Sequence, residues 1–226
     1  MSYRSGLVAV VAVLSACAQA GVSLEHSDAS GGGGDAKHDS SSGIDGPSID
    51  APSQCTTMTA NLLQNGNFEG TPLAAMWTET RYQNQPIVTT AGAAGQGGSS
   101  TKAWLGGVTG VPGTDAADGL SQDIAIPASA TGLAFTGFYQ ILTGETGVTP
   151  YDHGYAELQS TSGAVIDTLA SYDNSQAVSA WTAISHPIAA NVAGQTVRIK
   201  LRSTNDYLNA SSFYFDTLAL TATVCQ

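Results

Sequence analysis

The sequence predicts an all-β fold built as a two-sheet antiparallel β-sandwich, and two observations lead to this prediction. From residue 119 onward, short runs rich in Val, Ile, Thr, Tyr and Phe alternate with Gly, Pro, Asn and Asp, which is the composition of strands and the turns between them. No segment combines helical spacing of apolar residues with capping residues at its ends. Many short strands divided by turns are typical of two packed sheets.

The predicted strands follow one another closely along the chain. They are residues 119–127, 132–142, 153–161, 164–172, 180–188, 195–203 and 211–224. Ser162-Gly163 separates two of these runs and predicts a hairpin turn. The last run contains FYFDTLAL (213–220), which is apolar on both faces and therefore indicates a central strand.

The run 195–203 carries a small group of basic residues, Arg198, Lys200 and Arg202. They alternate with apolar residues, so a strand places all three on one face and its apolar residues on the other. We interpret the basic face as solvated surface, with an anion-binding site as the alternative. The net charge of the chain is −11, and basic residues are otherwise scarce. Nucleic acid is therefore not expected as a partner, because phosphate binding needs extensive clusters of cations.

The first residues have the layout of an export signal. Arg4 precedes the apolar run 6–14, which is too short to span a bilayer as a helix and fits the apolar part of such a signal. The run ends in LSAC, and this segment resembles a bacterial lipoprotein signal. The resemblance implies cleavage after residue 16, lipidation of Cys17 and a lipid anchor in the outer membrane, with possible surface exposure. An ordinary secretory signal, cleaved after Ala18 or Ala20, is the alternative.

A spacer follows the signal, at residues 17–54. Four consecutive glycines (31–34), a serine run (40–42) and few apolar residues leave too little apolar surface to order the backbone. We therefore predict a disordered tether. The remaining residues, 55–226, are enough for one domain with a full core.

Two cysteines, Cys55 and Cys225, lie at the two ends of the predicted domain. An exported protein meets oxidising conditions, so we expect a disulfide between them. Two free thiols are the alternative.

Several motifs together resemble a known family. NLLQNGNFEG (61–70), which reads as an opening strand, is followed by Trp77, and this start resembles jelly-roll carbohydrate-binding modules and their galactose-binding-like relatives. From KAWLGG (102–107) to FYFDTLAL (213–220), the chain resembles the MAM-like jelly-roll domain of secreted bacterial proteases of the immune inhibitor A kind. It departs from that pattern at Asp216-Thr217, where the relatives usually have two acidic residues. The resemblance implies that the sandwich is a jelly roll.

The resemblance also implies a structural calcium ion. It assigns Glu69 and Asp216 as carboxylate ligands near the ends of the first and last strands, and calcium prefers such oxygen ligands. A second candidate set, on loops that could meet at one end of the sandwich, is Glu145, Asp152 and Asp206. The alternative is that each carboxylate only caps a turn or accepts backbone N–H groups.

Aromatic residues are the candidates for a glycan platform. The resemblance places the tryptophans Trp77, Trp104 and Trp181 at packing positions, which leaves tyrosines. A tyrosine offers both a ring face and a hydroxyl group. The predicted ligand-binding residues are Tyr82, Tyr139, Tyr151 and Tyr207, and Tyr172 is a further tyrosine of the same kind.

No catalytic pattern is found in the sequence. There is no G-x-S-x-G elbow and no Cys-His or paired-carboxylate hydrolase motif. We expect a non-catalytic, surface-tethered binding module of the cell envelope that recognises a glycan or another extracellular polymer. The alternative is a structural or protein-interaction lipoprotein of the envelope with no small ligand.

Overall fold

The computed structural model describes residues 57–225, without the side chains of the two end residues. The predictions for the signal, for Cys17, for the tether and for Cys55 lie outside this range. In the described range, no helix is long and apolar enough to cross a membrane.

Strands dominate the described residues, which contain only two short 3₁₀ turns, Gln96–Gly98 and Asn174–Gln176. The strands in that range are β1 Thr57–Asn61, β2 Thr78–Thr80, β3 Val88–Thr89, β4 Lys102–Gly106, β5 Ala116–Ala125, β6 Ala130–Thr143, β7 His153–Ser160, β8 Val165–Asp173, β9 Val178–Ile188, β10 Thr196–Asn205 and β11 Ser211–Cys225.

The strands form two antiparallel sheets. Sheet 1 has the order β3-β4-β11-β6-β9, with β1 paired to β11, and sheet 2 has the order β2-β5-β10-β7-β8. Between β4 and β11 the chain passes repeatedly from one sheet to the other, so that the two sheets pack face to face. The predicted two-sheet antiparallel sandwich is confirmed.

The core lies between the sheets and follows the period of two that strands impose. Sheet 1 contributes Phe135, Phe213 and Phe215, while sheet 2 contributes Ile199 and Leu201 from β10, all at most 1% exposed. Strand β11 lies between β6 and β4, which agrees with its two apolar faces and its prediction as a central strand. Because these inward residues are fixed by the core, their neighbours in sequence must point outward.

The segment predicted as an opening strand, 61–70, is instead a loop after β1, which ends at Asn61. Its Gly66 packs on a bulge in β11, where Leu218 N–H donates to the Gly66 carbonyl at 2.8 Å. A Cβ at Gly66 would overlap the Leu218 carbonyl, so a larger residue does not fit. Asn65 and Phe68 adopt positive φ values of 49° and 58°, which an extended strand does not allow.

Candidate functional site

The outward side of sheet 2 carries a row of charged side chains. Arg198, Lys200 and Arg202 point outward from β10, because the residues between them are fully buried in the core. The register places Asp123 of β5 beside Arg198, and Glu157 of β7 beside Lys200. We call the surface formed by these five residues and Tyr155 the basic face of sheet 2.

Two of the three cations on the basic face are paired. Arg198 binds Asp123 through two hydrogen bonds of 2.6 and 3.0 Å. Arg202 binds one oxygen of Glu157 at 2.7 and 3.0 Å, and its guanidinium lies 3.7 Å from the centre of the Tyr155 ring. The Glu157 side chain is only 4% exposed, so Arg202 offsets a carboxylate that is largely removed from water.

The ammonium of Lys200 lies between these two pairs and has no hydrogen bond or salt bridge to any residue of the described range. Its side chain crosses β5 at Gly119, where a Cβ would overlap the ammonium group. Burial lowers the pKa of Lys200, and the charges of Arg198 and Arg202 lower it further, whereas Glu157 raises it. The ammonium is therefore partly removed from water and lies among two arginines and one carboxylate.

A polar groove of about 440 Å³ runs beside Lys200. Its size falls in the range of about 300–1,000 Å³ that is usual for ligand sites. The residues that line it are Met76, Thr78, Thr80, Ser121, Gln122, Asp123, Arg198 and Lys200. A smaller cavity of about 110 Å³ lies beside Trp104, below that range.

The outward side of sheet 1 is partly covered by the chain segment 89–101. The N–H of Gln96 donates to Asp216 Oδ2 at 2.8 Å, and Trp181 Nε1 donates to the Ala94 carbonyl at 3.1 Å. Under the same segment, Trp104 stacks on Tyr214 with 5.6 Å between ring centres. Sheet 1 therefore uses these aromatic rings for packing, whereas the groove on sheet 2 remains accessible.

The structure brings together the first predicted pair of metal ligands. Glu69 Oε1 accepts the Ser99 hydroxyl at 2.6 Å, and Asp216 binds Gln96 of the same loop. Hydrogen bonds from Ser99 and Thr101 lower the pKa of Glu69. Burial raises the pKa of Asp216, and the charge of Glu69 raises it further.

Carboxylate oxygens such as those of Glu69 and Asp216 are ligands that calcium prefers. Asp216 is buried next to another negative charge, and Glu69 Oε2 accepts no hydrogen bond from the described residues. Lys102 is a fully buried cation near Asp216, and its Nζ also lacks a partner. No group of three or more His, Cys, Asp or Glu residues within 57–225 could hold a metal. A calcium ion at this pair would need further ligands from backbone carbonyls or water.

The second predicted set also converges, at one end of the sandwich. Asp152 is fully buried and accepts the N–H of Asp206 at 2.9 Å and the Ser211 hydroxyl at 2.6 Å. Burial raises the pKa of Asp152, and the charges of Asp206 and Glu145 add to this effect. The three carboxylates do not form a close group that could hold a metal, and Asp152 is already used in hydrogen bonds to its neighbours.

The predicted tyrosines are dispersed. Tyr151 and Tyr207 are about half exposed, on loops at the end that holds Asp152. Tyr82 lies in the loop after β2, where its N–H donates to Asp118 at 2.8 Å. Tyr139 packs against the core, and its ring stacks on that of Tyr172 with 4.0 Å between ring centres.

Sequence reasoning missed Tyr155, Glu157 and Asp123. Tyr155 and Glu157 alternate with buried residues in β7, and this period-two pattern was visible in the sequence. What could not be seen was the pairing of β7 and β5 with β10, which brings the three residues to the basic residues.

No protein-family model matches the sequence, and no curated protein matches it. The chain is similar to several solved structures with low identity, and three of them are the following. The first is the enzymatically active domain of tailspike protein 4 of bacteriophage CBA120, with 14% identity, a TM-score of 0.46, and coverage of 73% of this chain and 21% of that one. This chain therefore spans about a fifth of the tailspike domain.

The second is TmCBM61 in complex with β-1,4-galactotriose, with 14% identity, a TM-score of 0.45, and coverage of 71% of this chain and 97% of that one. The third is the CBM22-1 xylan-binding domain of Paenibacillus barcinonensis Xyn10C, with 16% identity, a TM-score of 0.38, and coverage of 77% of this chain and 98% of that one. Several of the solved structures are thus carbohydrate-binding modules. All these TM-scores lie below 0.5, so the similarity identifies neither a family nor a ligand.

Proposed function

We propose that this protein is a non-catalytic binding module that recognises a glycan or a similar extracellular polymer on the basic face of sheet 2. The supporting observation is the row of outward side chains on β10 beside an open groove of about 440 Å³. Alternate side chains on a strand recur every 6.6 Å or so, so an extended polymer can be contacted at several points. The Tyr155 ring adds an aromatic surface to the same face.

The proposal also includes a lipid anchor on Cys17 and a structural calcium ion. A lipid on Cys17 and the spacer 17–54 would hold the domain at the outer membrane, as the motif at the start of the chain implies. Glu69 and Asp216 would bind a structural calcium ion, whose positive charge offsets the two carboxylates. The ion has no catalytic role in this proposal.

A glycan array with the full chain tests the binding function, in the presence and absence of calcium. Ser121→Trp fills the groove on sheet 2, and Ser185→Trp makes the same change on β9 of sheet 1 as a matched control. We expect wild type and Ser185→Trp to bind the same glycans and Ser121→Trp to lose them. Binding that Ser121→Trp leaves unchanged, or no binding to any glycan, would contradict the proposal.

A specific observation favours a second candidate, a protein-interaction module. Five large apolar or aromatic residues, each at least half exposed, lie on loops at the end of the sandwich that holds Asp152: Val111, Val148, Tyr151, Tyr207 and Leu208. The loops are joined by hydrogen bonds from Gly110 to Asp206 and from Asp206 to Asp152, of 2.6 and 2.9 Å. Val148→Asp should abolish a crosslink to an envelope protein if this surface binds one.

A further inference from the structure

We propose that the basic face of sheet 2 binds an anionic polysaccharide, through its carboxylate or sulfate groups, and that Lys200 contacts the anion. This inference rests on the proposed function and names the class of polymer. It selects the anion-binding alternative for Arg198, Lys200 and Arg202 over that of a solvated surface.

The charges on the basic face do not balance. Three cations face two carboxylates, Asp123 and Glu157, and each carboxylate is bound to an arginine. Lys200 is left without a partner, although its side chain is partly buried. A lysine on a solvated face would extend into water, whereas this one lies along β5 over Gly119. The absence of a Cβ at position 119 provides the space for it.

The surroundings of Lys200 favour an anion. Arg198 and Arg202 flank it on the same strand; burial lowers the pKa of Lys200 most, the two arginines lower it further, and Glu157 acts in the opposite direction. An anion placed over Lys200 would be attracted by all three cations and would offset their mutual repulsion. The groove beside Lys200 also offers the hydroxyl groups of Thr78, Thr80 and Ser121, which can donate to the oxygens of a carboxylate or a sulfate.

Lys200 is distinctive in the described part of the chain. Of the other cations there, Arg81 binds Glu79 at 2.6 Å, and Lys102 is fully buried. The chain as a whole has a net charge of −11, so a polyanion would be repelled by most of its surface. Contact would therefore be confined to the basic face, where the local charge is reversed.

Isothermal titration of the full chain with four polysaccharides tests the inference. Polygalacturonate supplies carboxylates, dextran sulfate supplies sulfate esters, and galactan and dextran are neutral. We expect binding to one or both anionic polymers, weakened as salt is raised because ionic contacts are screened. Binding to polygalacturonate alone, or to dextran sulfate alone, identifies the source of the anionic group.

Three variants and one control locate the contact. Lys200→Gln should weaken anionic binding about tenfold, since it removes a charged hydrogen bond, and Lys200→Arg should retain most of it. Asp123→Asn should strengthen binding about threefold, because it frees Arg198 from an exposed ion pair of small energy. Arg81→Gln makes the same charge change as Lys200→Gln and should leave binding unchanged.

Equal affinity for neutral and anionic polymers, or anionic binding that Lys200→Gln does not weaken, would overturn the inference. If neutral polymers bind and Ser121→Trp abolishes that binding, the inference fails while the proposed function stands. If no polysaccharide binds in the titrations or on the array, both fail.

Discussion

Glu69 and Asp216 bind the same loop although one precedes it and the other lies near the end of the chain. Glu69 Oε1 accepts the Ser99 hydroxyl at 2.6 Å, and Asp216 Oδ2 accepts the Gln96 N–H at 2.8 Å. The charge of Glu69 adds to the effect of burial in raising the pKa of Asp216. The loop 95–101 therefore brings together two negative charges that repel each other.

We predict that calcium raises the melting temperature of this protein and that chelation lowers it. A ligand that binds the native state alone stabilises it by RT ln(1 + [L]/Kd), or about 2.7 kcal/mol at a hundredfold excess over Kd. Glu69→Gln and Asp216→Asn should remove most of the response. Asp115→Asn, an exposed carboxylate outside the site, is the control, and a melting curve indifferent to calcium would contradict the prediction.

Asp152 should tolerate asparagine but not alanine. An asparagine at this position can accept the Asp206 N–H and donate to the Ser211 hydroxyl, which also contacts Thr143. Alanine leaves the half-buried Asp206 N–H and the buried Ser211 hydroxyl without this partner, and a buried polar group that loses its partner costs about 1–3 kcal/mol. Chemical denaturation at neutral pH should therefore place Asp152→Asn close to wild type and Asp152→Ala well below it.

A comparison of wild type with Asp152→Asn should also reveal an effect of pH on stability. Because burial raises the pKa of Asp152 above its ordinary value of 3.8, the native state binds this proton more tightly than the unfolded state does. The protonated Asp152 carboxyl group therefore contributes stability at low pH, and this contribution is lost as pH rises through the raised pKa. The stability of wild type relative to Asp152→Asn should increase from pH 7 to pH 4. A constant difference would show that Asp152 titrates normally.

Arg202 should matter more for stability than Arg198, although both form ion pairs. Glu157 has a side chain 4% exposed, and Asp123 has one 46% exposed. Breaking a buried ion pair leaves one buried charge without a partner and costs about 3–5 kcal/mol of stability, whereas an exposed ion pair contributes about 0–1 kcal/mol. Arg202→Met should be strongly destabilising in urea denaturation and Arg198→Met nearly neutral. The double variant Arg202→Met/Glu157→Gln should recover much of the loss; failure to recover would show that Arg202 acts by packing.

Asn65 should hold the loop between β1 and β2. Its amide donates to the carbonyls of Leu73 and Ala75 at 2.8 and 3.0 Å and accepts the Gly70 N–H at 2.8 Å. Asn65→Ala should cost about 2–4 kcal/mol, since each lost bond contributes about 1 kcal/mol and alanine is disfavoured at positive φ. Asn67→Ala removes a single bond of 3.4 Å to Glu69 and is the matched control. Equal melting temperatures for the two variants would contradict this role.

A disulfide between Cys55 and Cys225 stays a prediction, because Cys55 lies outside the described residues. Thr57 is the partner of Cys225 in the β1–β11 ladder, and the two residues from Cys55 to Thr57 extend at most about 7 Å. Peptide mapping under non-reducing conditions should find the linked pair. Cys55→Ser should lower the free energy of unfolding by about 2–5 kcal/mol and lower the melting temperature with it. Cys17→Ser should change neither. Two alkylatable thiols in the exported protein would contradict the prediction.

The strands from β5 to β11 could be predicted from the sequence because each is long enough to show alternation. In contrast, β2 and β3 contain three and two residues, too few for any period, and the opening motif is a loop fixed by Asn65. The outward direction of Lys200 followed from the same alternation. The residues that surround Lys200 could not be predicted in this way. Asp123 and Glu157 are 75 and 45 residues from their arginine partners, and only the strand register brings them together.

The pairing of β1 with β11 determines how the domain would respond to mechanical force. Strand β1 has β11 as its strand neighbour in the described range, so a pull applied upstream of Thr57 would be carried by that one ladder. The strand would detach first, and the other strands of the two sheets would remain paired. A bond between Cys55 and Cys225 would instead transfer the load directly to β11, which lies in the middle of sheet 1. The domain would then resist the pull as a single unit.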